Sequence, residues 1–415
     1  MKFLRLFLAI ALMASIVSRA AGCEDTLKAG DVMGEVSPGI VSGKEADAAF
    51  IGSMADFSID LFKKSLADDK NALISPLSVM LALAMTANGA DNETLTQMEN
   101  LLGGEIPLSE LNEYLYSYAN GLPSGDKSKL SIANSIWFRD NADRLSVNEG
   151  FLQKNADYFS AALYKAAFDS QTLSDINNWV KANTDGMIDK ILDEIEENHL
   201  MYLINAVVFD AEWLSVYYKE DVRAGDFTDI SGRAQSAQFM YSTEGSFLED
   251  GMATGFIKPY ANGSYSFAAL LPNEGVAIGE YIKTLTGEGF LNTINNAQPA
   301  TVYTSMPKFS YEYSIKMNDA LSELGIPDAF DEEKADFRKM AASIDGNIYI
   351  GMVQHKTFIA VDELGTKAGA VTMVGMVGSG APIDIKQVYL DRPFVYAIID
   401  NATNLPIFIG TLMTV

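Results

Sequence analysis

Cysteine is nearly absent from this chain: Cys23 is the only one in 415 residues. No disulfide can form within it, so packing and hydrogen bonds alone must hold the fold. Histidine is almost as scarce, with His199 and His355 only. Zinc sites draw on clustered histidines and cysteines, so neither a metal of that kind nor any other cofactor is expected. Also missing are the spacings GxSxG, HExxH, GxxxxGK[ST] and GxGxxG. Their absence removes the serine-hydrolase elbow, the zinc peptidase, the phosphate loop and the dinucleotide fold. No nucleophile–base pair stands out, and no catalytic residue is assigned. Basic residues are short as well, at 30 against 55 acids and a net charge of −25. Such a surface repels nucleic acid and anionic lipid, so neither is an expected partner.

Long apolar runs are missing except at the start. Lys2 and Arg5 precede a short apolar stretch from Leu6 to Val17, and small residues follow. This is the pattern of an export signal over residues 1–22, too short to span a bilayer comfortably. Two processing sites compete. Ser18-Arg19-Ala20 suits ordinary signal peptidase, whereas Ala20-Ala21-Gly22-Cys23 resembles the bacterial lipobox, in which Cys23 would carry a lipid anchor. An exported protein is expected, with membrane contact only through Cys23. Residues 23–47 are polar and contain glycine, and read as a tether. Residues 48–415 show no internal boundary and read as one domain.

What is present mixes two periods. Helical stripes occur at 57–66, 75–90 and 175–195, and strand-like runs at 129–138, 201–213, 264–272, 301–315, 347–361 and 393–400. Helices dominate the first half and strands the second, which favours segregated α+β over alternating α/β. His355 lies on a strand face with Tyr349, Val353, Thr357, Ile359 and Val361, so a buried, hydrogen-bonded imidazole is expected. The acidic runs at 193–198 and 331–336 read as solvated loops or helix ends.

One stretch is unusual. From Ala368 to Ile383 there is no charge, and from Gly365 to Ala381 no proline. A strand deep in a sheet must donate its backbone N–H groups, which proline cannot do. Alternate residues Thr366, Ala368, Ala370, Thr372, Val374 and Met376 are uncharged and mostly small. A linker would be richer in charge, serine or proline. The segment reads as a strand that could enter a sheet.

Several blocks together resemble the serpins over nearly all of residues 48–415. They are NALISPLSVMLALAMTANGADNETLTQM (71–98), LINAVVFDAEW (203–213), SMPKFSYEYSIKMNDALSELGIPDAF (305–330), VQHKTFIAVDELGTKA (353–368) and VYLDRPFVYAI (388–398). The resemblance implies a monomer with three β-sheets, about nine helices and an exposed reactive loop near residues 363–388. It implies a partner too: a serine protease that attacks the loop and is trapped as a covalent acyl-enzyme when the loop inserts as a strand. By resemblance, Glu363 starts the hinge, Gly365 is its turn and Thr366 the first inserted residue, followed by Ala368, Gly369 and Ala370. Gly369 and Val371 depart from the family's alanine run. Ser75, Ser78, Asn205 and His355 match the shutter beneath the sheet, and Trp213 the breach at its top. The family's usual insertion length puts the reactive bond at Ser379–Gly380, with Met376, Val377 and Ala381 as alternates. None of these is basic, which points to elastase-like or subtilisin-like proteases.

Overall fold

The structure is a computed structural model that describes residues 27–67, 69–125, 127–140, 144–196, 198–344, 346–366 and 385–415. The chain begins with β1 (Gly30–Asp31) and helix α1 (Ala48–Lys64). Strand β2 (Ala72–Ile74) leads into α2 (Pro76–Ala87), α3 (Asn92–Leu102) and α4 (Leu108–Gly121). Next come β3 (Ser128–Arg139), β4 (Leu145–Val147), α5 (Glu149–Phe159), β5 (Ala162–Ala166) and α6 (Ser170–Asn183). Strands then prevail: β6 (Met201–Glu212), β7 (Val222–Thr228), β8 (Ala234–Glu249), β9 (Ala253–Pro259) and β10 (Tyr265–Pro272). Helices α7 (Ile278–Thr284) and α8 (Gly287–Asn295) precede β11 (Gln298–Pro307), β12 (Phe309–Lys316) and α9 (Asn318–Glu323). The chain closes with β13 (Ala341–Ser343), β14 (Met352–Val361), β15 (Gly365–Thr366), β16 (Ile385–Tyr389), β17 (Phe394–Asp400) and β18 (Pro406–Leu412).

Local chemistry accounts for the main boundaries. Asp47 caps α1 by accepting from the Ala49 and Phe50 N–H groups, and Pro76 occupies the first turn of α2, where its missing N–H costs nothing. All twelve residues of α2 are buried, as its continuous apolar sequence requires. The run 301–315, read as one strand, divides at Pro307–Lys308 into β11 and β12, which belong to different sheets. The stripe at 175–195 is helical only as far as Asn183.

The first sheet runs β1-β5-β3-β6-β15-β14-β12; the second runs β16-β11-β8-β9-β10-β17-β18-β2, with β7 on β8; β13 and β4 form a third. This is the mixed α+β fold of three sheets that the resemblance implies. Strand β6 is covered on both faces. Leu203, Val207 and Phe209 enter the main core, while Tyr202, Ile204, Ala206 and Val208 join Trp137, Ile176 and Val180 beneath α6. Burial on both sides explains why its sequence is apolar throughout instead of alternating.

The tether reading does not describe residues 27–47. The Lys28 and Ala29 N–H groups donate to the buried Asp175 carboxylate (3.0 and 2.8 Å), and β1 pairs antiparallel with β5. Beyond it, the Val32 N–H donates to Leu163 O (3.1 Å) and the Lys44 N–H to Glu113 O (3.1 Å). Leu27, Val32, Met33 and Ala46 pack against the core. An uncovered β5 would present a free sheet edge, and this segment satisfies it. Residues 23–26, Cys23 among them, lie outside the described residues.

Candidate functional site

The site begins where β14 ends. Asp362 turns the chain: its carboxylate accepts from the N–H groups of Leu364 (2.8 Å) and Gly365 (3.3 Å). Gly365 and Thr366 then run back between two strands, antiparallel to both. Thr366 faces Val361 of β14 and Ala211 of β6. It is 1% exposed, and its hydroxyl shares a hydrogen bond with Tyr260 Oη (2.6 Å). Trp213 clasps the turn from the side. Its indole N–H donates to Asp362 O (2.9 Å), its backbone N–H to Leu364 O (2.9 Å), and its ring stacks on Tyr260 at 4.5 Å. Glu363 pairs with Lys308, which holds the carboxyl below its ordinary pKa.

Below Thr366 the sheet is closed. β6 and β14 pair directly and in parallel from Tyr202↔Met352 to Val208↔Phe358, so no strand lies between them there. Strand β16, on the far side of the loop, is paired to β11 in the second sheet. Ala368, Gly369, Ala370, Met376, Val377, Ser379, Gly380 and Ala381 lie outside the described residues.

Beneath this closed seam sits a polar cluster in an otherwise apolar core. His355 and Asn205 are register partners on β14 and β6, and Asn134 on β3 is the partner of Asn205. His355 Nε2 accepts from the Ser75 N–H (3.2 Å), so Nδ1 carries the proton and donates to Asn205 Oδ1. The Asn205 amide donates to Ser78 Oγ and Asn134 Oδ1, the Ser78 hydroxyl donates to Asn134 Oδ1 (3.2 Å), and Asn134 Nδ2 returns to Ser78 O (3.1 Å). Ser75 therefore enters through its backbone, not its hydroxyl. His355 is fully buried, and burial pushes its pKa down to about 3. With both ring nitrogens engaged and no solvent access, it cannot serve as a general base toward a substrate. It can hold two strands together.

Sequence reasoning missed five members of the site. Asn134 was visible as the one amide inside the apolar run KLSIANSIWF. Tyr260 and Lys308 gave no local signal. Nor did the buried ion pair below the hinge. Lys258 Nζ donates to Glu244 Oε1 (2.9 Å) and Ser215 O (3.1 Å), and lies 4.3 Å from the Tyr217 ring centre. Burial alone would lower the Lys258 pKa, but the oxygens of Tyr217 and Glu244 outweigh it and hold the ammonium charged. Breaking such a pair leaves one charge stranded, so Lys258→Met should cost about 3–5 kcal/mol, and Lys258→Met with Glu244→Leu should recover most of it. Urea unfolding midpoints of the parent and the two variants check this; equal losses for single and double changes would refute the coupling.

Comparison with known proteins gives one consistent result. The family model described as serpin (serine protease inhibitor) matches residues 52–415. Human neuroserpin (Homo sapiens) is 27% identical over 379 residues, 87% of this chain and 90% of its own length. The native-state crystal structure of tengpin, a thermophilic serpin, is 56% identical, covers 93% of this chain and all of its own, and superimposes with a TM-score of 0.90. Tengpin in its latent state covers 90% of this chain and 100% of its own at 56% identity, but superimposes with a TM-score of 0.80. The better fit to the native form agrees with the direct pairing of β6 and β14.

Proposed function

The chain belongs to the serpin family, and from that premise we propose that it is a suicide-substrate inhibitor of serine proteases with small or apolar specificity. The protease serine attacks the carbonyl carbon at Ser379 and expels the Gly380 amine, leaving an ester to the cut loop. The freed strand then continues where Thr366 already points, between β6 and β14. The observation that carries this reading is Thr366, seated between two parallel strands and antiparallel to both. A strand entering there replaces one parallel ladder by two antiparallel ones, so cleavage releases a downhill step. The β6–β14 ladder and the His355–Asn205 cluster supply the barrier that holds the uncut form.

Specificity follows from the bait. A trypsin-like pocket keeps a buried carboxylate, which Ser379 or its alternates would leave unpaired. Shallow pockets of elastase-like and subtilisin-like enzymes lose nothing. The inhibitor acts outside the cytoplasm on this reading, where the N-terminal signal would send it. Incubation with elastase, subtilisin and trypsin tests the whole. SDS-stable complexes are expected with the first two, together with a released C-terminal peptide whose mass begins it at Gly380. Cleavage by elastase and subtilisin without any covalent complex would make the protein a non-inhibitory binding module instead.

A further inference from the structure

The hinge and the bait do not exhaust what surrounds the loop. Eight large apolar side chains stand exposed among the described residues: Ile40, Leu214, Tyr218, Tyr303, Ile344, Ile385, Tyr389 and Val415. Five of them adjoin the two points where the loop leaves and rejoins the fold. Leu214 and Tyr218 follow Trp213 and Tyr217, whose N–H groups bind the carbonyls of Leu364 and Glu363. Ile385 is the first described residue after the loop, and Tyr389 ends the same strand. Tyr303 lies beside them on β11.

The strand register makes the last three one surface. Parallel pairing sets Thr301 against Ile385, Tyr303 against Gln387 and Ser305 against Tyr389. Side chains alternate across a sheet, so Ile385, Gln387 and Tyr389 share one face with Thr301 and Tyr303. The intervening residues turn inward: Val388 is buried, and the Lys386 ammonium sits over the Phe247 ring at 5.2 Å. The outward strip carries no charge in a chain of 55 acidic and 30 basic residues. The Arg223 guanidinium, over the Tyr241 ring at 5.3 Å, stands on the next part of the sheet.

We propose that this strip on β16 and β11 is a second contact surface for the body of the target protease, beyond the bait residues in its cleft. The inference rests on the reading of the loop as protease bait. Ile385 lies six positions after Ser379, and six steps of about 3.3 Å reach at most about 20 Å. A protease of about 250 residues has a radius of gyration near 18 Å. An enzyme holding Ser379 therefore cannot avoid the neighbourhood of Ile385. Uncharged tyrosines suit that contact, because they bury a large area at little cost in side-chain entropy and dominate the energetics of many interfaces.

The test compares the parent with Tyr303→Thr/Tyr389→Thr, threonine keeping the strand preference of both sites, and with Ile40→Ala as an exposed control far from the loop in sequence. The rate constant for disappearance of the intact chain is measured with elastase and with subtilisin, together with melting temperature and the cut site. The double variant should react about ten-fold more slowly with at least one enzyme, at unchanged melting temperature and cut site, while the control keeps the parental rate. Rates within two-fold of the parent for both enzymes overturn the proposal. So does a concentration-dependent dimer of the parent that the double variant abolishes, because the strip would then serve a second copy of the chain. If the parent loop is cut but never trapped, inhibition fails while the rate comparison still decides the contact.

Discussion

Thr366→Arg should convert the protein from a trap into a substrate. The loop would be cut as before, but no covalent complex would survive, and the cut protein would show no large rise in melting temperature. The cause is local. Thr366 is 1% exposed between β6 and β14, with its hydroxyl on Tyr260 and the Trp213 ring stacked on that tyrosine. An arginine there must either bury an unpaired charge, costing several kcal/mol, or stay outside and hold the hinge out with it. On the proposed mechanism, trapping depends on insertion outrunning hydrolysis of the acyl-enzyme. A barrier raised by about 3 kcal/mol slows insertion more than a hundred-fold and hands the ester to water. Thr366→Ser, which keeps the hydroxyl, should retain trapping. Gel analysis after incubation with elastase, with melting curves of the cut forms, decides the matter. Full complex formation by Thr366→Arg would show that insertion does not pass between β6 and β14.

The second large effect is a loss of native stability in mild acid. The folded pKa of His355 is about 3, below its ordinary value near 6.5, because burial disfavours the imidazolium. Between those values the folded protein binds fewer protons than the unfolded chain. The stability that belongs to the neutral imidazole is therefore complete above about pH 6.5 and declines as pH falls toward 3. The slope approaches 1.4 kcal/mol per pH unit. Between pH 6.5 and 5 most carboxylates remain ionised, so the histidines dominate that window. His199 is also lowered by burial, and His199→Gln separates its share. Urea midpoints across that window should fall in the parent and in His199→Gln, and stay flatter in His355→Asn. Should His355→Asn not fold, an NMR titration of the parent decides instead. An imidazole of His355 titrating near pH 6.5 would sink the argument. Opening that exposes His355 lets its imidazole take up a proton, so the β6–β14 seam should open more readily as the pH falls through that window.

Much of this is legible in the sequence. The apolar, proline-free stretch after Gly365 is a property of consecutive residues, and so is the apolar run of α2. His355 could be recognised as buried, because a period of two places it on a mostly apolar strand face. The partners in its cluster could not. Ser78 and Asn134 lie 56 positions apart, Asn205 and His355 150, and Ser75 and His355 280. Spacing along the chain says nothing about which strands become neighbours over such distances. The N-terminal segment failed for a related reason. Residues 27–47 have the composition of a tether, and only an uncovered strand edge at β5, with Asp175 beside it, makes them part of the fold.

The sequence by itself determined that the fold is mixed α+β, that no disulfide can form within the chain, and that an uncharged, proline-free stretch follows Gly365. Those properties reside in composition and local period. The tertiary structure alone decided what surrounds the start of that stretch. It placed Thr366 between β6 and β14, closed the seam below it with His355 and Asn205, and buried the Lys258–Glu244 pair near the turn. Each of these depends on distant segments meeting, so its energy exists only once the chain has folded.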